Sequence, residues 1–231
     1  GTLYPDVIES VSFTGGPTLD RLSRDYGARL PWPFYCMVDP AIYRPTGEAK
    51  RWDLGYLGTY SADRQPALER LLLEPARRLP DRRFVVAGAQ YPGSIDWPGN
   101  VELIEHVPPS EHASFYSRLR FALNLTRRSM RATGWSPSVR LFEAAACGAA
   151  ILSDRWEGLD SFFPEDEAIV VVEDADEVEA ALTRLDPTAI NSIAARAREI
   201  VLANHTGHDR ARDLEMAFEA AGLSRPQTIR I

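Results

Sequence analysis

The fold of this chain is decided by one stretch, residues 134–163, which reads GWSPSVRLFEAAACGAAILSDRWEGLDSFF. Its pattern predicts a loop, a helix over 138–147, a tight glycine turn, a strand over 149–153, and a turn into a second helix. Inside the first helix only Arg140 and Glu143 are polar. Because a carboxylate among small and apolar residues needs a partner, we expect Glu143 to face a ligand at the helix start.

Short apolar runs alternate with helical patterns on both sides of this stretch. The runs predict strands over 53–57, 83–87, 101–106, 121–125, 149–153 and 168–172. The helical patterns cover 65–79, 109–118, 176–185, 189–204 and about 207–221, and a polar loop leads from the fourth strand to Ser136. This alternation predicts an α/β fold in which a Rossmann-like parallel sheet of about six strands is flanked by helices.

The first part of the chain has a different character. It predicts strands over 7–13 and 32–36, a short helix over 17–26, and a polar, proline-broken linker over 39–52. We therefore expect residues 1–45 to be the end of another domain with its linker, and residues 46–231 to form the Rossmann-like domain.

Composition narrows the function classes. The chain has 231 residues, 45% of them hydrophobic and 26% charged, which suits a globular protein with a full core. A net charge of −7 argues against a general nucleic-acid binder. The two cysteines, Cys36 and Cys147, are expected to be buried free thiols in a reducing compartment, the cytoplasm. No apolar run is long enough for a membrane span.

In open parallel sheets, ligands bind at the carboxyl ends of the strands. The first such loop, GYLGTYSADR at 55–64, carries Gly58, which permits close backbone approach, and Arg64, which can reach a phosphate. It is not a G-x-G-x-x-G fingerprint, so a standard dinucleotide site is unsupported. The alternative is an ordinary strand–helix turn with a surface arginine.

Two further loops lie at the same predicted edge. In HVPP at 106–109, backbone groups around Val107 can read a base, and His106 is either part of the site or a satisfied buried histidine. In NLTRR at 124–128, Asn124 begins a polar run in which Arg127 or Arg128 can neutralise a phosphate. Solvated loop charges explain the second run equally well. We expect His112 to be a helix-surface residue.

The start of the helix over 138–147 is the strongest candidate site. Ser136 or Ser138 is expected to cap it, and its first free amides, near Val139, favour an anion such as phosphate, although ordinary capping fits too. The Glu143 side chain leans toward the helix start, where it can accept hydrogen bonds from vicinal hydroxyls. The alternative is an ion pair with Arg140. Asp154 and Glu157 either contact sugar hydroxyls or cap the next helix.

With these residues in view, the chain resembles the nucleotide-binding C-terminal half of a two-domain GT-B glycosyltransferase, and more narrowly the group 1 family with spore-maturation-type members. The specific match is SPSVRLFEAAACG at 136–148, followed by ILSDRWEGLDSFF at 151–163. HVPPSEHASFYS, LNLTRRSM and GYLGTYSADRQP fit the same pattern in order and spacing. Together these motifs cover roughly residues 53–172.

The resemblance implies a nucleoside-diphosphate-sugar donor and a sugar, lipid or protein acceptor that the sequence does not identify. By similarity, Glu143 would bind the ribose, and the amides near Ser138 and Val139, with Arg64, would hold the diphosphate. The backbone around Val107 would read the base, and the run from Asn124 to Arg127 would lie near the sugar. No cofactor and no metal are expected, and no catalytic residue is assigned.

The chain departs from the family pattern in two ways. Many relatives carry a Glu-x7-Glu pair, and here the first glutamate is replaced by Trp135. The family also has a whole acceptor domain upstream, so we expect this chain to be a fragment that binds donor without transferring sugar alone. Transfer with retention is expected by analogy. A sugar-nucleotide 2-epimerase-like isomerase and a non-catalytic sugar-nucleotide-binding module remain alternatives.

Overall fold

A computed structural model of the chain describes residues 11, 12 and 14–222. Its strands, in chain order, are β1 Val11–Ser12, β2 Trp32–Pro33, β3 Trp52–Leu57, β4 Phe84–Ala87, β5 Val101–Ile104, β6 Leu119–Asn124, β7 Ala150–Ser153 and β8 Val170–Val171. Strands β1 and β2 pair with each other, and the other six form one parallel sheet in the order β5-β4-β3-β6-β7-β8. The predicted α/β class and Rossmann-like parallel sheet are confirmed.

Helices connect these strands in the alternation that the sequence predicts. They are α1 Pro17–Tyr26, α2 Gln65–Leu68, α3 Glu74–Arg78, α4 His112–Ser117, α5 Arg128–Thr133, α6 Val139–Ala146, α7 Ala175–Arg184, α8 Pro187–Asn204 and α9 Gly207–Ala220. A π-helical turn, Glu69–Leu73, joins α2 to α3, and a 3₁₀ turn, Pro109–Glu111, leads into α4. None of the helices in the described part of the chain has the length and apolar character needed to cross a membrane.

Several sequence predictions need correction. The second helix expected after residue 158 is a single 3₁₀ turn, Leu159–Ser161, which starts from Gly158 in the left-handed region and ends before Pro164. The loop expected before Ser136 contains α5, and the strand expected over 32–36 is reduced to Trp32–Pro33. Of the strand expected over 7–13, residues 7–10 and 13 lie outside the described residues. The division at residues 45 and 46 stays a prediction.

The core lies on both faces of the sheet, as it must in a parallel sheet covered by helices. Along β4 the side chains alternate: Phe84 and Val86 pack into one apolar cluster, and Val85 and Ala87 pack into the other. The first cluster contains leucines of the α2–α3 segment and the inner face of α7, and the second contains α6. Helix α6 is thus held rigidly against the sheet, and Gly148, with φ +73°, supplies the predicted turn from α6 into β7.

One buried histidine lies beside α6. His205, between α8 and α9, is 8% exposed and stacks on Phe142 with ring centroids 4.4 Å apart. Burial, helped by the charge of Arg210 and opposed by Asp209, lowers the pKa of His205 to about 4. The folded protein therefore holds this ring neutral at a pH where the unfolded chain protonates it.

The chain should consequently lose stability as the pH falls from the pKa of about 6.5 of an unfolded-chain histidine toward about 4. Between pH 7.5 and pH 5 the His205 contribution amounts to about 2 kcal/mol of unfolding free energy. Urea unfolding at both pH values should show a smaller loss for His205→Gln than for the wild type. His208→Gln, at an exposed position, is the control and should keep the wild-type loss. Equal losses for wild type and His205→Gln would contradict the assignment.

Candidate nucleotide-binding cleft

A cleft of about 680 Å³ lies where the strand order reverses, between β3 and β6. The connections that follow β3 and β6 lead to opposite faces of the sheet and leave a crevice for a ligand between them. The walls of the cleft come from the loops after β3, β4, β5 and β6 and from the start of α6. Of the predicted site residues, the cleft brings together Gly58, Arg64, Val107, Arg127, Ser136, Ser138, Val139 and Glu143. Asn124 and Trp135 do not line it.

The charge of the cleft is opposite to that of the protein. In the described part of the chain, its lining contains Arg64, Arg127 and Arg140 but only one carboxylate, Glu143. Among the described residues, neither Arg64 nor Arg140 has a carboxylate within ion-pair distance. Asp63, the residue before Arg64, is exposed, and its carboxylate accepts a hydrogen bond from the Arg128 backbone N–H at 3.1 Å, so it forms no ion pair with Arg64. The cleft is therefore a positively charged site in a chain of net charge −7.

Arg64 is buried, with only 4% of its surface exposed. Its Nη2 donates to the Thr59 carbonyl at 2.8 Å, and its Nε has no hydrogen-bond partner among the described residues. A buried guanidinium that lacks both a carboxylate and a full set of acceptors carries an uncompensated desolvation cost. An anion in the cleft would remove that cost.

Arg140 approaches the same place from α6. The guanidinium carbons of Arg140 and Arg64 lie 5.7 and 6.0 Å from the centre of the Tyr56 ring. A Cβ at Gly58 would lie 2.6 Å from the Tyr56 hydroxyl and 3.1 Å from Arg140 Nη2. Glycine at position 58 thus leaves room for the Tyr56 hydroxyl and for Arg140 beside the β3 loop.

The start of α6 has free backbone donors. Ser138 is its N-cap residue but makes no side-chain capping bond, and its hydroxyl instead accepts from Arg140 Nη1 at 3.2 Å. The first N–H groups of a helix have no partner within the helix, and the helix dipole adds attraction for negative charge. Both features face the cleft that Arg64 and Arg140 line, so the geometry can accept an anion with several oxygens.

Glu143 lies one turn further along α6 and is 9% exposed. Its Oε2 accepts a hydrogen bond from the Tyr116 hydroxyl at 3.2 Å. Burial first, and then the charge of Glu143, raise the pKa of both Tyr116 and Tyr43, so both phenols stay protonated beside the carboxylate. The described residues show no ion pair between Glu143 and Arg140, and the carboxylate keeps lone pairs for a ligand hydroxyl.

Trp135, which stands where the resemblance implies an acid, takes part in packing. Its backbone is left-handed, with φ +47°, and its ring lies between Gly16 and Gly158, where an added Cβ would come within 2.5 Å of ring atoms. The Trp135 N–H donates to the Glu157 carbonyl at 2.7 Å, and the Trp135 carbonyl accepts from Gly15 N–H at 3.0 Å. The residue thus ties the N-terminal segment to the loop that leads into α6.

Asn124 and Asp154 belong to a buried network at the ends of β6 and β7. The Asn124 amide donates to Ser153 Oγ at 2.9 Å, and Asp154 accepts from the Thr126 hydroxyl at 2.7 Å. Burial raises the pKa of Asp154, while the hydrogen bonds from Thr126 oppose the shift. Asp154 neither lines the cleft nor caps a helix, so this carboxylate holds the two strand ends together.

Sequence reasoning missed several residues of the cleft. His112, expected on the helix surface, lines it, and its Nε2 lies 3.2 Å from the Val107 carbonyl. His106 is exposed at the cleft mouth and is not the buried histidine considered as an alternative. Half-buried Cys36 also lines the cleft, whereas Cys147 is buried as predicted, and burial together with the charge of Glu143 raises its pKa to about 12.

The described residues contain no group of three or more histidine, cysteine, aspartate or glutamate side chains arranged to hold a metal ion. The Asp-x-Asp run at 174–176 lies at the start of α7, outside the cleft. There Asp174 accepts the Glu177 N–H at 3.0 Å and caps the helix.

Comparison with known proteins gives the family. A model of the glycosyl transferase-like family matches residues 64–216, which is more than half of the chain. The chain belongs to this family. No curated protein matches it. The narrower likeness to spore-maturation-type members stays a prediction.

Solved structures of glycosyltransferases share the fold of this family member. Sucrose-phosphate synthase from Thermosynechococcus elongatus is 15% identical with a TM-score of 0.71, and the match covers 91% of this chain and 57% of that one. Anabaena HepE, in complex with UDP and glucose, is 12% identical with a TM-score of 0.71 over 92% of this chain and 63% of that one. The C-terminal domain of the group 1 protein LpcC from Francisella tularensis is 16% identical with a TM-score of 0.55, over 74% and 99%.

At these identities the likeness establishes the fold, which is that of the C-terminal, Rossmann-like half of GT-B glycosyltransferases. The chain spans less than two thirds of the length of the sucrose-phosphate synthase and HepE chains.

Proposed function

We propose that this chain is the donor-binding part of a GT-B glycosyltransferase, which binds a nucleoside-diphosphate sugar in the cleft for transfer of the sugar to an acceptor. The observation that carries the proposal is that Arg64 and Arg140, neither of which pairs with a carboxylate among the described residues, line one cleft together with the first residues of α6. A diphosphate supplies the charge and the oxygens that this arrangement lacks.

The remaining lining of the cleft suits the rest of such a donor. Glu143, about one helical turn beyond the free amides, would accept hydrogen bonds from the ribose hydroxyls. The backbone around Val107, in a loop stiffened by Pro108 and Pro109, would receive the base. Asn124, Arg127, Ser136 and Trp135 keep their predicted place near the sugar and diphosphate as part of the proposal, although Asn124 and Trp135 would have to act from outside the cleft lining.

The chemistry proposed is stabilisation of the leaving group. As the glycosidic bond of the donor breaks, the diphosphate gains negative charge, and donors already held in place stabilise that charge without reorganisation. The α6 amides, Arg64 and Arg140 would supply this effect, and the fold supplies orientation. Retention of the anomeric configuration is proposed by analogy with the family.

A thermal-shift panel of UDP-, GDP-, ADP- and TDP-sugars tests the proposal on this chain. A ligand at a hundredfold excess over its Kd should stabilise the folded state by about 2.7 kcal/mol. The absence of a shift with every member at millimolar concentration would contradict donor binding. Where binding is found, product analysis after incubation with donor distinguishes transfer from formation of a second sugar nucleotide, which an epimerase gives, and from binding without turnover, which a binding module gives.

A further inference from the structure

Helix α4 carries a buried tyrosine whose only hydroxyl contact in the described part of the chain is the carboxylate of the cleft. Tyr116 is 2% exposed, so its hydroxyl does not reach a ligand. It donates to Glu143 Oε2 at 3.2 Å. We propose that Tyr116 is a positioning residue that holds the Glu143 carboxylate in the orientation that reads ribose hydroxyls. The inference rests on the proposed nucleotide function and adds a residue that acts through Glu143.

Glu143 lies on the apolar helix α6. On α6 its neighbours are Phe142 and Ala144, and the helix packs against the core. Arg140, the one cation on the same helix, turns away to Ser138 and Tyr56. A carboxylate in such surroundings needs hydrogen-bond donors from the protein. The Tyr116 hydroxyl donates to Oε2 at 3.2 Å, and half-buried Tyr43 is a second phenol hydrogen-bonded to Glu143.

A hydroxyl donor suits this task better than a cation would. An arginine in a bidentate ion pair donates to both carboxylate oxygens and neutralises their charge. Phenols donate to the carboxylate without neutralising it, so even with Tyr43 as a second phenol hydrogen-bonded to Glu143, the negative charge and part of the acceptor capacity remain for the ligand. The ring of Tyr116 is packed in the core between α4 and α6, so the position of its hydroxyl is fixed. The hydrogen bond from this hydroxyl in turn fixes the rotation of the Glu143 side chain.

The position of Tyr116 links it to the other proposed nucleoside contact. His112, one turn earlier on α4, lies edge-on to Tyr116 with ring centroids 6.4 Å apart, and its Nε2 contacts the Val107 carbonyl at 3.2 Å. One face of α4 thus holds the carboxylate proposed for the ribose and the carbonyl proposed for the base. In the sequence, this arrangement is visible only as two aromatic residues, His112 and Tyr116, at helical spacing.

The test measures ribose discrimination, which a purely structural tyrosine would not alter. UDP and 2′-deoxy-UDP are titrated calorimetrically into wild type, Tyr116→Phe and Tyr91→Phe; if GDP or ADP binds better than UDP, that nucleotide and its 2′-deoxy form replace the pair. We expect the wild type to prefer the ribonucleotide by about tenfold to a hundredfold. Tyr116→Phe, which keeps the ring, should reduce this preference to within about threefold, mainly by weakening the ribonucleotide.

Tyr91→Phe is the matched control. Its hydroxyl also makes one hydrogen bond, to the Gly58 carbonyl at 2.8 Å, but has no contact with Glu143. This variant should keep the wild-type preference. In a Glu143→Gln background the Tyr116→Phe change should have no further effect on the preference, which a general loss of packing would not produce.

Two outcomes separate the inference from the function on which it rests. If the wild type and Tyr116→Phe prefer the ribonucleotide over its 2′-deoxy form equally strongly, the proposed role of Tyr116 is wrong, and the proposal of nucleotide binding is unaffected. A wild type that binds none of UDP, GDP and ADP overturns the proposed function and this inference with it.

Discussion

Replacing Glu143 by glutamine is expected to weaken the binding of UDP by about tenfold to a hundredfold while the protein remains folded. Hydrogen bonds to a charged acceptor are stronger than those to a neutral one, and the amide removes the charge that ribose hydroxyls would meet. Glutamine keeps an oxygen for the Tyr116 hydroxyl, so no buried donor is left without an acceptor. Isothermal titration with UDP, with a thermal melt of the free protein, measures both effects.

The matched control for this change is Glu105→Gln. Glu105 is exposed just beyond β5, at the same edge of the sheet, and does not line the cleft. Its neutralisation changes the net charge of the chain by the same amount as Glu143→Gln. If both variants weaken UDP binding equally, the effect is one of overall charge, and the assignment of Glu143 to the ribose is wrong.

Replacing Arg64 and Arg140 together by methionine is expected to weaken UDP binding by at least about a hundredfold. Each guanidinium lines the cleft and would make charge-assisted hydrogen bonds to the diphosphate. Binding of uridine, which has no phosphate, should change little. Titrations with UDP and with uridine on the same variant give the comparison.

The same substitution has a second expected result. Arg64 is buried without a carboxylate, so methionine at this position should leave the ligand-free protein as stable as the wild type or more stable. Arg196→Met, on α8 and outside the cleft, is the control for the loss of a cation. Equal loss of UDP and uridine binding would mean that the arginines support the fold of the cleft and do not contact phosphate.

Much of the fold follows from local patterns in the sequence. The last two helices were predictable because each combines an apolar stripe with a strong start signal. Asp186 caps α8 and precedes Pro187, and Thr206 with Asp209 forms a capping box at α9. The sheet was predictable because buried parallel strands are short apolar runs between helical patterns.

Other elements carry no such signal. Helix α5 contains no buried residue, so it has no apolar period by which to separate it from a loop. The region after Gly158 has buried phenylalanines at 162 and 163 that imitate a helical face, yet Pro164 ends the turn. Local sequence does not distinguish these cases because long-range packing decides them.

The residues of the candidate site also fall into those that local sequence predicts and those that it does not. Gly58, Arg64 and Glu143 line the cleft, and they could be predicted as candidates because of their residue types at the ends of a strand and a helix. Asn124 and Asp154 are candidates for the same reason, but in the structure their side chains form hydrogen bonds with Ser153 and Thr126, respectively.

Residues that reach the cleft from distant elements were beyond sequence reasoning. The Tyr116 contact joins residues 27 positions apart. The sequence spacing allows an ion pair between Arg140 and Glu143, and only the structure shows that the Arg140 guanidinium lies over the Tyr56 ring. Polarity at a sheet edge therefore marks candidates, and tertiary contacts decide which of them remain free for a ligand.

The central claim is that the cleft between β3 and β6 binds a nucleoside diphosphate, and a crystal structure of this chain with UDP tests it most directly. We expect the diphosphate at the start of α6, within hydrogen-bond distance of Arg64 and Arg140, and the ribose hydroxyls at Glu143. UDP bound elsewhere, such as in the apolar groove between β8, α7 and α8, with the cleft empty, would contradict it.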